Sequence, residues 1–332
     1  MSLHIDTSDA AARLAGQIVK TPLLACGELD RRCGGRVWLK AEPLQRTGSF
    51  KIRGALNRIL NLTPAEKRNG VIAWSSGNHA QGIAAAAAMF DIHAVIVMPA
   101  DAPALKIANT RALKAEVVLY DRATQDREQI ARELAANRGL IVVPSYDDPY
   151  IIAGQGTVGV ELMAQAAEQG AVIDDIIVPV SGGGLIAGVG VAARAVRKDV
   201  RLFAAEPQGY DDHVRSLAAG ERVKNESTAV ALCDALLAPM PGTLTWNINA
   251  TQLAGGYGVS DEQVCAAMAF AFQHLKLVVE PGGAVALAAV LAGLHDCRGR
   301  TIGIVLSGGN VDPSVFSHCL AVGLGNSSRL EQ

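Results

Sequence analysis

The chain has 332 residues, of which 50% are hydrophobic, 19% are charged and 4% are aromatic. Because half of the residues can enter an apolar core, this composition excludes a chain that is disordered throughout. The 30 Lys and Arg residues and the 32 Asp and Glu residues give a formal net charge of −2, which argues against nucleic acid or an anionic membrane surface as the main partner.

Short apolar runs alternate along the chain with alanine-rich stretches of helical pattern. The predicted strands are residues 37–41, 70–75, 93–98, 116–120, 140–143, 176–180, 202–205 and 302–307. The predicted helices are residues 81–89, 127–138, 156–168, 186–197, 261–274 and 283–294. Most of these strands are apolar throughout, which is typical of strands buried on both faces. Strand followed by helix, repeated along the chain, predicts an α/β fold with parallel sheets between helices.

At roughly 150 residues per domain, the length predicts two domains or one large one. No stretch of linker composition divides the chain, so we expect two domains to be interleaved. The N-terminal residues lack the pattern of a signal peptide, and no apolar run reaches the roughly 18 residues of a membrane span. We therefore expect a cytoplasmic protein whose six cysteines are reduced, and a frayed C-terminal tail over residues 325–332.

A lysine in unusual surroundings comes first among the candidate functional residues. Residues 47–55 read TGSFKIRGA, and Lys51 lies near the start of a predicted helix among small or apolar residues. A lysine that is desolvated beside a helix N-terminus has a lowered pKa, which suits Schiff-base chemistry. The alternative is an ordinary surface charge.

Polar residues follow the predicted strand 70–75. Ser75, Ser76, Gly77, Asn78 and His79 place two hydroxyls, an amide and backbone N–H groups where an alanine-rich helix begins. A carboxylate would fit at such a helix N-terminus. The alternative is plain capping of the helix by Ser or Asn.

Glycine-rich segments follow two further strands, at the strand ends where open parallel sheets bind their ligands. Residues 181–185 read SGGGL after strand 176–180, and their backbone N–H groups can converge on a phosphate. The segment lacks the Lys-Ser/Thr of a P-loop and the spacing of a dinucleotide fingerprint. Residues 307–310 read SGGN and offer a polar side chain to a ligand heteroatom. For both segments the alternative is a tight turn.

A phosphate cradle, a carboxylate pocket and an imine-forming lysine together indicate pyridoxal 5'-phosphate and an amino acid substrate. Five stretches of the sequence resemble those of a family that uses this cofactor. They are 47–55 (TGSFKIRGA), 75–82 (SSGNHAQG), 181–188 (SGGGLIAG), 280–284 (EPGGA) and 307–310 (SGGN). The chain resembles the fold-type II pyridoxal-phosphate enzymes, specifically the serine/threonine dehydratase and serine racemase group.

The resemblance implies a tryptophan synthase β-like fold of two interleaved parallel-sheet α/β domains. A large cofactor-binding domain would comprise residues 1–62 and 142–332, and a small mobile domain residues 63–141. The resemblance also implies a homodimer.

The resemblance assigns roles to residues of this sequence. Lys51 would bind the cofactor covalently and move the α-proton, and Ser76 is the residue that acts on the second face in the racemases. The implied cofactor-binding residues are Phe50, Lys51, Asn78, Gly182, Gly183, Gly184, Leu185 and Ser307. The implied substrate-binding residues are Ser75, Ser76, Asn78 and His79. Ser181 departs from the family, which often has a fourth glycine there.

A metal site is also implied. Residues 206–212 resemble the divalent-cation motif of the racemase-like members, with Glu206, the Tyr210 carbonyl and Asp212 as ligands. Two carboxylates, a carbonyl and waters suit a hard cation, so we expect Mg2+, or else Ca2+ or Mn2+. The alternative is a solvated acidic loop. The remaining histidines, among them His213, show no metal spacing and are interpreted as structural or surface residues.

The predicted activity is β-elimination of a hydroxy amino acid to a 2-oxo acid and ammonia, with L-threonine or L-serine as the default substrate. The alternatives are a 3-hydroxyaspartate or phenylserine dehydratase and a serine racemase. A β-replacement enzyme and a non-catalytic amino-acid-binding protein are carried as other classes. A substrate with a second carboxylate would need a cation in the pocket, and Arg53 and Arg122 are the candidates.

Overall fold

The computed structural model describes residues 5–102, 104–225 and 231–330. Its strands are β1 Leu23–Ala25, β2 Arg36–Ala41, β3 Val71–Trp74, β4 Ala94–Pro99, β5 Glu116–Tyr120, β6 Ile141–Val142, β7 Asp175–Pro179, β8 Arg201–Pro207, β9 Leu253–Val259 and β10 Thr301–Leu306. They form a larger sheet of order β1-β2-β10-β7-β8-β9 and a smaller sheet of order β5-β4-β3-β6. The strands are parallel except that β1 pairs antiparallel with β2 at one edge.

The helices alternate with these strands. They are α1 Thr7–Leu14, α2 Gly27–Cys33, α3 Lys51–Leu60, α4 Pro64–Asn69, α5 Asn78–Ala88, α6 Ala104–Ala112, α7 Arg127–Arg138, α8 Pro149–Glu168, α9 Gly184–Val196, α10 Asp212–Ala219, α11 Thr243–Gln252, α12 Asp261–Phe270, α13 Pro281–Leu291 and α14 Pro313–Leu330. Short 3-10 turns cover Glu42–Leu44, Arg46–Gly48 and Asp234–Leu236, and a π turn, Ala271–Leu275, follows α12.

Every predicted strand overlaps an observed one, and the α/β prediction is confirmed. The sequence analysis missed β1, which is very short, and β9, whose sequence LAGGYGV contains glycines that break a strand pattern. α8 begins at Pro149 rather than at residue 156 because the Asp148 side chain accepts hydrogen bonds from the backbone of Tyr150 and Ile151. The frayed tail predicted from residue 325 is wrong as far as Leu330, because α14 continues to that residue.

The chain interleaves the two sheets. It leaves the larger sheet after β2, builds the smaller sheet from β3 to β6 and returns to the larger sheet with β7. The smaller sheet therefore uses residues between Val71 and Val142, while the domain boundaries at 63 and 141 stay a prediction.

One of the helices that cover the larger sheet, α13, is apolar on all sides. α13 reads PGGAVALAAVL, and its residues from Pro281 to Val290 are buried. α8 approaches α9 closely where Gly156 meets Gly188, and a Cβ on Gly188 would collide with the Ile152 carbonyl oxygen. Among the described residues, no helix is long and apolar enough to cross a membrane.

Candidate active site

A cavity of about 680 Å³ lies at the carboxyl ends of strands from both sheets. Its walls include the residues that follow β3, β7 and β10, which is where ligands bind in open parallel sheets. The structure brings every residue predicted to bind cofactor or substrate to this cavity, namely Phe50, Lys51, Ser75, Ser76, Asn78, His79, Gly182, Gly183, Gly184, Leu185 and Ser307.

Lys51 is the first residue of α3, and its side chain points into the cavity. Its Nζ donates a hydrogen bond to the Ser145 carbonyl oxygen over 2.9 Å. Burial lowers the pKa of Lys51 to about 8, against the opposing effect of the Glu280 carboxylate. The segment before Lys51 is held by Phe50, whose backbone N–H donates to the Ser307 carbonyl oxygen over 3.1 Å. An amine with such a pKa is neutral, and so nucleophilic, in a sizeable fraction of molecules near neutral pH.

Three polar side chains from distant parts of the chain meet beside Lys51. Asn78 donates from Nδ2 to Glu280 Oε1 over 2.6 Å, and Asn310 donates from Nδ2 to Asn78 Oδ1 over 2.7 Å. Burial raises the pKa of Glu280 to about 8. Glu280 lines the cavity and was missing from the predicted site residues, although the EPGGA motif that contains it was the available signal.

The glycine-rich loop precedes α9, so its backbone N–H groups lie at a helix N-terminus. Gly183 has a φ of +91°, and a Cβ there would lie 2.6 Å from both Asn249 Nδ2 and His213 Nε2. A Cβ on Gly182 would collide with the ring of Tyr146. Only glycine fits this cradle, which is the geometry that a bound phosphate requires.

Side chains behind the cradle fix its backbone. Thr245 donates from Oγ1 to the Gly182 carbonyl oxygen over 2.6 Å, and Asn249 donates from Nδ2 to the Gly183 carbonyl oxygen over 3.2 Å. The hydroxyl of Ser181, where the family often has glycine, accepts a hydrogen bond from the Ala238 backbone over 3.1 Å. Ser181 therefore ties the cradle to the segment around residue 238.

The serine-rich segment begins α5 on the opposite wall. Ser75 Oγ accepts a hydrogen bond from the Gly77 backbone over 3.1 Å. His79 is buried with Nε2 3.0 Å from the Val143 carbonyl oxygen, and burial, helped by the charge of Lys51, lowers the pKa of His79 to about 3. His79 is therefore neutral, and its contact with a substrate carboxylate stays a prediction.

The predicted metal ligands Glu206 and Asp212 lie next to the cavity rather than in its wall. Their carboxylate oxygens and a ring nitrogen of His213 lie within 4.8 Å of one another, and all three residues are buried. Burial lowers the pKa of His213, but Asp212 and Glu206 outweigh it and raise the pKa to about 9. Tyr210 is also buried, and its role as a carbonyl ligand stays a prediction. The sequence analysis missed His213, whose position directly after Asp212 was the available signal.

The expectation that Arg53 or Arg122 supplies the pocket cation is wrong for both residues. The Arg53 guanidinium is fully buried against the carboxylates of Glu42 and Glu161, and Arg122 pairs with Asp101 on the surface. The cations that line the cavity among the described residues are Lys51, Lys106, Arg127, Arg132 and Arg222.

Comparison with known proteins agrees with this geometry. A family model described as pyridoxal-phosphate dependent enzyme matches residues 14–308. The chain is 42% identical over 320 residues to an L-threo-3-hydroxyaspartate ammonia-lyase of Pseudomonas sp, which covers 96% of this chain and 99% of that protein. It is 40% identical over 314 residues to the catabolic L-threonine dehydratase of Escherichia coli (strain K12), with 94% of each chain covered. Maize serine racemase superposes with a TM-score of 0.88 at 35% identity, over 98% of this chain and 100% of that one.

Proposed function

The chain belongs to the family of pyridoxal-phosphate-dependent enzymes, within its fold-type II serine/threonine dehydratase and serine racemase group, and we propose that it eliminates the β-hydroxyl of a hydroxy amino acid. The products are a 2-oxo acid and ammonia, because the water lost in the elimination is taken up again when the amine is released. The observation that carries the proposal is the single cavity that contains the Lys51 amine, the glycine cradle and the serine-rich segment.

The residues present fit pyridoxal phosphate. The cradle excludes any Cβ at Gly182 and Gly183, so the backbone N–H groups of residues 182–185 can hold the phosphate. Lys51 would bind the cofactor covalently, Phe50 would pack against its ring, and Asn78 would bind its phenolic oxygen. Ser307 would face the pyridine nitrogen. Pyridoxal phosphate, when bound, supplies an electron sink that stabilises negative charge at the substrate α-carbon.

The chain's own residues supply binding and proton transfer. The N-terminus of α5, with Ser75, Ser76 and Asn78, holds the substrate carboxylate and so orients the Cα–H bond. The Lys51 amine takes the proton from the α-carbon, for which its lowered pKa of about 8 is suited near neutral pH. Elimination follows when the β-hydroxyl takes up a proton from a nearby acid and leaves the neighbouring carbon as water.

We propose 3-hydroxyaspartate as the preferred substrate, ahead of L-threonine and L-serine. Lys106 is one of the cations that line the cavity, and its Nζ pairs with Asp234 Oδ2 over 3.3 Å. The second carboxylate of the substrate could pair with this ammonium group in the same way. The Pseudomonas relative is named for this substrate.

Racemisation is the second candidate activity. Ser76 lines the cavity and could return a proton to the α-carbon on the face opposite Lys51. Maize serine racemase, which shares the fold at 35% identity, supports this candidate.

We further propose a cation site, a domain closure, a cellular location and an oligomeric state. A divalent cation, Mg2+, Ca2+ or Mn2+, would bind at Glu206, Asp212 and the Tyr210 carbonyl. The small domain, residues 63–141, would close over the substrate, which the contacts of Asn78 with Glu280 and of Lys106 with Asp234 across the cavity support. The protein would act in the cytoplasm as a homodimer.

The proposed function is tested by incubating the holoenzyme with both enantiomers of serine, threonine and phenylserine and with all stereoisomers of 3-hydroxyaspartate. We expect release of a 2-oxo acid, with kcat/KM highest for one 3-hydroxyaspartate isomer. Chiral analysis of the same samples reports racemisation. If no hydroxy amino acid releases a 2-oxo acid, the elimination proposal is wrong.

A further inference from the structure

His213 completes a buried cluster of three potential metal ligands. The relative exposure is 0% for Glu206, 1% for Asp212 and 0% for His213. His213 Nδ1 lies 3.5 Å from Glu206 Oε1 and 3.6 Å from Asp212 Oδ2. The cluster forms because β8 ends beside the first turn of α10, where Asp212 and His213 are adjacent.

Some atoms of the cluster have structural hydrogen bonds. The two carboxylate oxygens of Glu206 accept from the backbone N–H groups of His213 and Val214 over 3.2 and 2.9 Å. Asp212 Oδ1 accepts from Asn225 Nδ2 over 2.6 Å. A carboxylate oxygen has two lone pairs, so each of these oxygens keeps one for a further partner.

Two atoms of the cluster are buried without any hydrogen-bond partner among the described residues, and these are Asp212 Oδ2 and His213 Nδ1. Their separation of 3.6 Å is too long for a good hydrogen bond. It does match two ligands of one ion, because ligands about 2.1 Å from an ion at a tetrahedral angle lie about 3.4 Å apart. Among the described residues these two atoms make only long ion-pair contacts, and a shared divalent ion would give both of them a close partner.

We propose that His213 Nδ1, together with Glu206 and Asp212, is a ligand of the divalent cation, and that this nitrogen makes the site prefer Zn2+ and Mn2+ to Mg2+. Mg2+ and Ca2+ select oxygen ligands, whereas imidazole favours transition metals, with Zn2+ bound more tightly than Mn2+. The inference rests on the divalent-cation site proposed above. It changes the expected ion, because that site was inferred with oxygen ligands alone.

The position of His213 also connects this ion to the cofactor cradle. Its other ring nitrogen, Nε2, lies 3.4 Å from Asn249 Nδ2, and that amide donates to the Gly183 carbonyl oxygen. An ion on Nδ1 therefore lies one side chain away from the backbone of the cradle. An ion on Nδ1 would place the ring proton on Nε2, where it faces the donor Asn249 Nδ2, so ion binding would shift this amide and with it the contact to Gly183.

The test measures the metal directly in the holoenzyme. Metal-free protein is titrated with Mn2+, Zn2+ and Mg2+ by calorimetry, and the Mn2+ complex is examined by electron spin echo spectroscopy for a directly coordinated ¹⁴N. We expect one site, a ¹⁴N coupling in the wild type, and Mn2+ binding at least tenfold tighter than Mg2+ binding. His213→Gln should lose the coupling and weaken Mn2+ binding at least tenfold, with less than a threefold change for Mg2+.

The control variant is His318→Gln, which changes an exposed histidine on α14 and should retain the wild-type values. Because the ¹⁴N coupling is measured in the wild-type protein, this part of the test does not depend on whether His213→Gln folds. A bound Mn2+ without ¹⁴N coupling overturns the His213 inference while the cation site stands. No binding of any of the three ions overturns the cation site and the inference together.

Discussion

Asn78 Nδ2 donates a hydrogen bond to Glu280 Oε1 over 2.6 Å and so joins the first residue of α5 to the residue that precedes α13. Both residues line the cavity, and the helices to which they belong pack against different sheets. Burial raises the pKa of Glu280 from its ordinary value of 4.5 to about 8. The bond therefore links the proposed cofactor ligand Asn78 to a carboxyl group that titrates near neutral pH.

The first prediction concerns the pH dependence of stability. Between pH 4.5 and about 8 the folded apoprotein keeps the Glu280 proton that the unfolded chain releases, so stability falls as pH rises through this window. Glu280→Gln should remove this loss, on the order of 2–4 kcal/mol in the free energy of unfolding. Tm measured from pH 5 to 9 should fall less steeply in the variant. The exposed Glu221→Gln serves as the control, and equal slopes in all three proteins would contradict the assigned pKa.

The second prediction concerns Lys51. Lys51→Ala should abolish turnover, by at least three orders of magnitude, and remove the visible absorbance of the covalently bound cofactor, because Lys51 is the amine proposed to form that bond. Circular dichroism should be unchanged, since Lys51 makes one hydrogen bond, to Ser145. Lys198→Ala, at an exposed position, should behave as wild type. Full activity of the Lys51 variant would overturn the proposed function.

The third prediction concerns Gly183. It distinguishes a loss of phosphate binding from the general effect of adding a side chain at a positive φ. Gly183→Ala should weaken pyridoxal phosphate binding at least tenfold, because its Cβ would lie 2.6 Å from His213 Nε2 and Asn249 Nδ2. Gly220→Ala is the matched control, since Gly220 has a φ of +74° but no atom within 4 Å of an added Cβ. Equal cofactor affinity of the two variants, measured by fluorescence titration, would argue against a phosphate site at Gly183.

Substrate choice is the subject of the fourth prediction. Lys106→Met should raise KM for 3-hydroxyaspartate at least tenfold and change KM for L-serine less than threefold, because only the first substrate has a second carboxylate. Arg122→Met is the control, as Arg122 pairs with Asp101 outside the cavity. Equal changes for both substrates would show that Lys106 acts through the structure of the site, by its ion pair with Asp234, and not on the second carboxylate.

The fifth prediction concerns Ser76. Ser76→Ala should abolish any racemisation while elimination retains at least a third of its rate, because Lys51 alone removes the α-proton for elimination. The two activities are measured in the same samples by chiral chromatography and 2-oxo acid release. A parallel loss of both activities would show that Ser76 acts only by binding the substrate carboxylate and transfers no proton on the second face.

Much of the site was predictable because its parts are local. The cradle at residues 181–185 and the serine-rich segment at 75–79 each lie at one strand–helix junction, and parallel strands bring such junctions to the same edge of a sheet. The α/β fold followed from alternating apolar strands and alanine-rich helices. Lys51 was a candidate from its setting among small residues, and the family resemblance favoured a reactive amine over a surface charge. Each of these signals is contained in a few consecutive residues.

Contacts between side chains that are far apart in the sequence were not predictable from such local patterns. Arg53 follows Lys51 by only two residues, yet packing turns its guanidinium away from the cavity to Glu42 and Glu161. Glu280, Asn78 and Asn310 meet only because α5, α13 and β10 converge. His213 showed no metal spacing in the sequence because one of its partners, Glu206, lies on a strand and the other on the next helix.

The sequence by itself determined the class of fold and predicted the cofactor cradle and the reactive lysine, since backbone conformation at glycines and the start of a helix depend on neighbouring residues. The tertiary structure decided which cations reach the cavity, where the buried carboxyl of Glu280 points, and that His213 joins Glu206 and Asp212. The physical reason is that burial and charge pairing are set by the packing of distant segments, and the pKa values of Lys51, Glu280 and His213 follow from that packing.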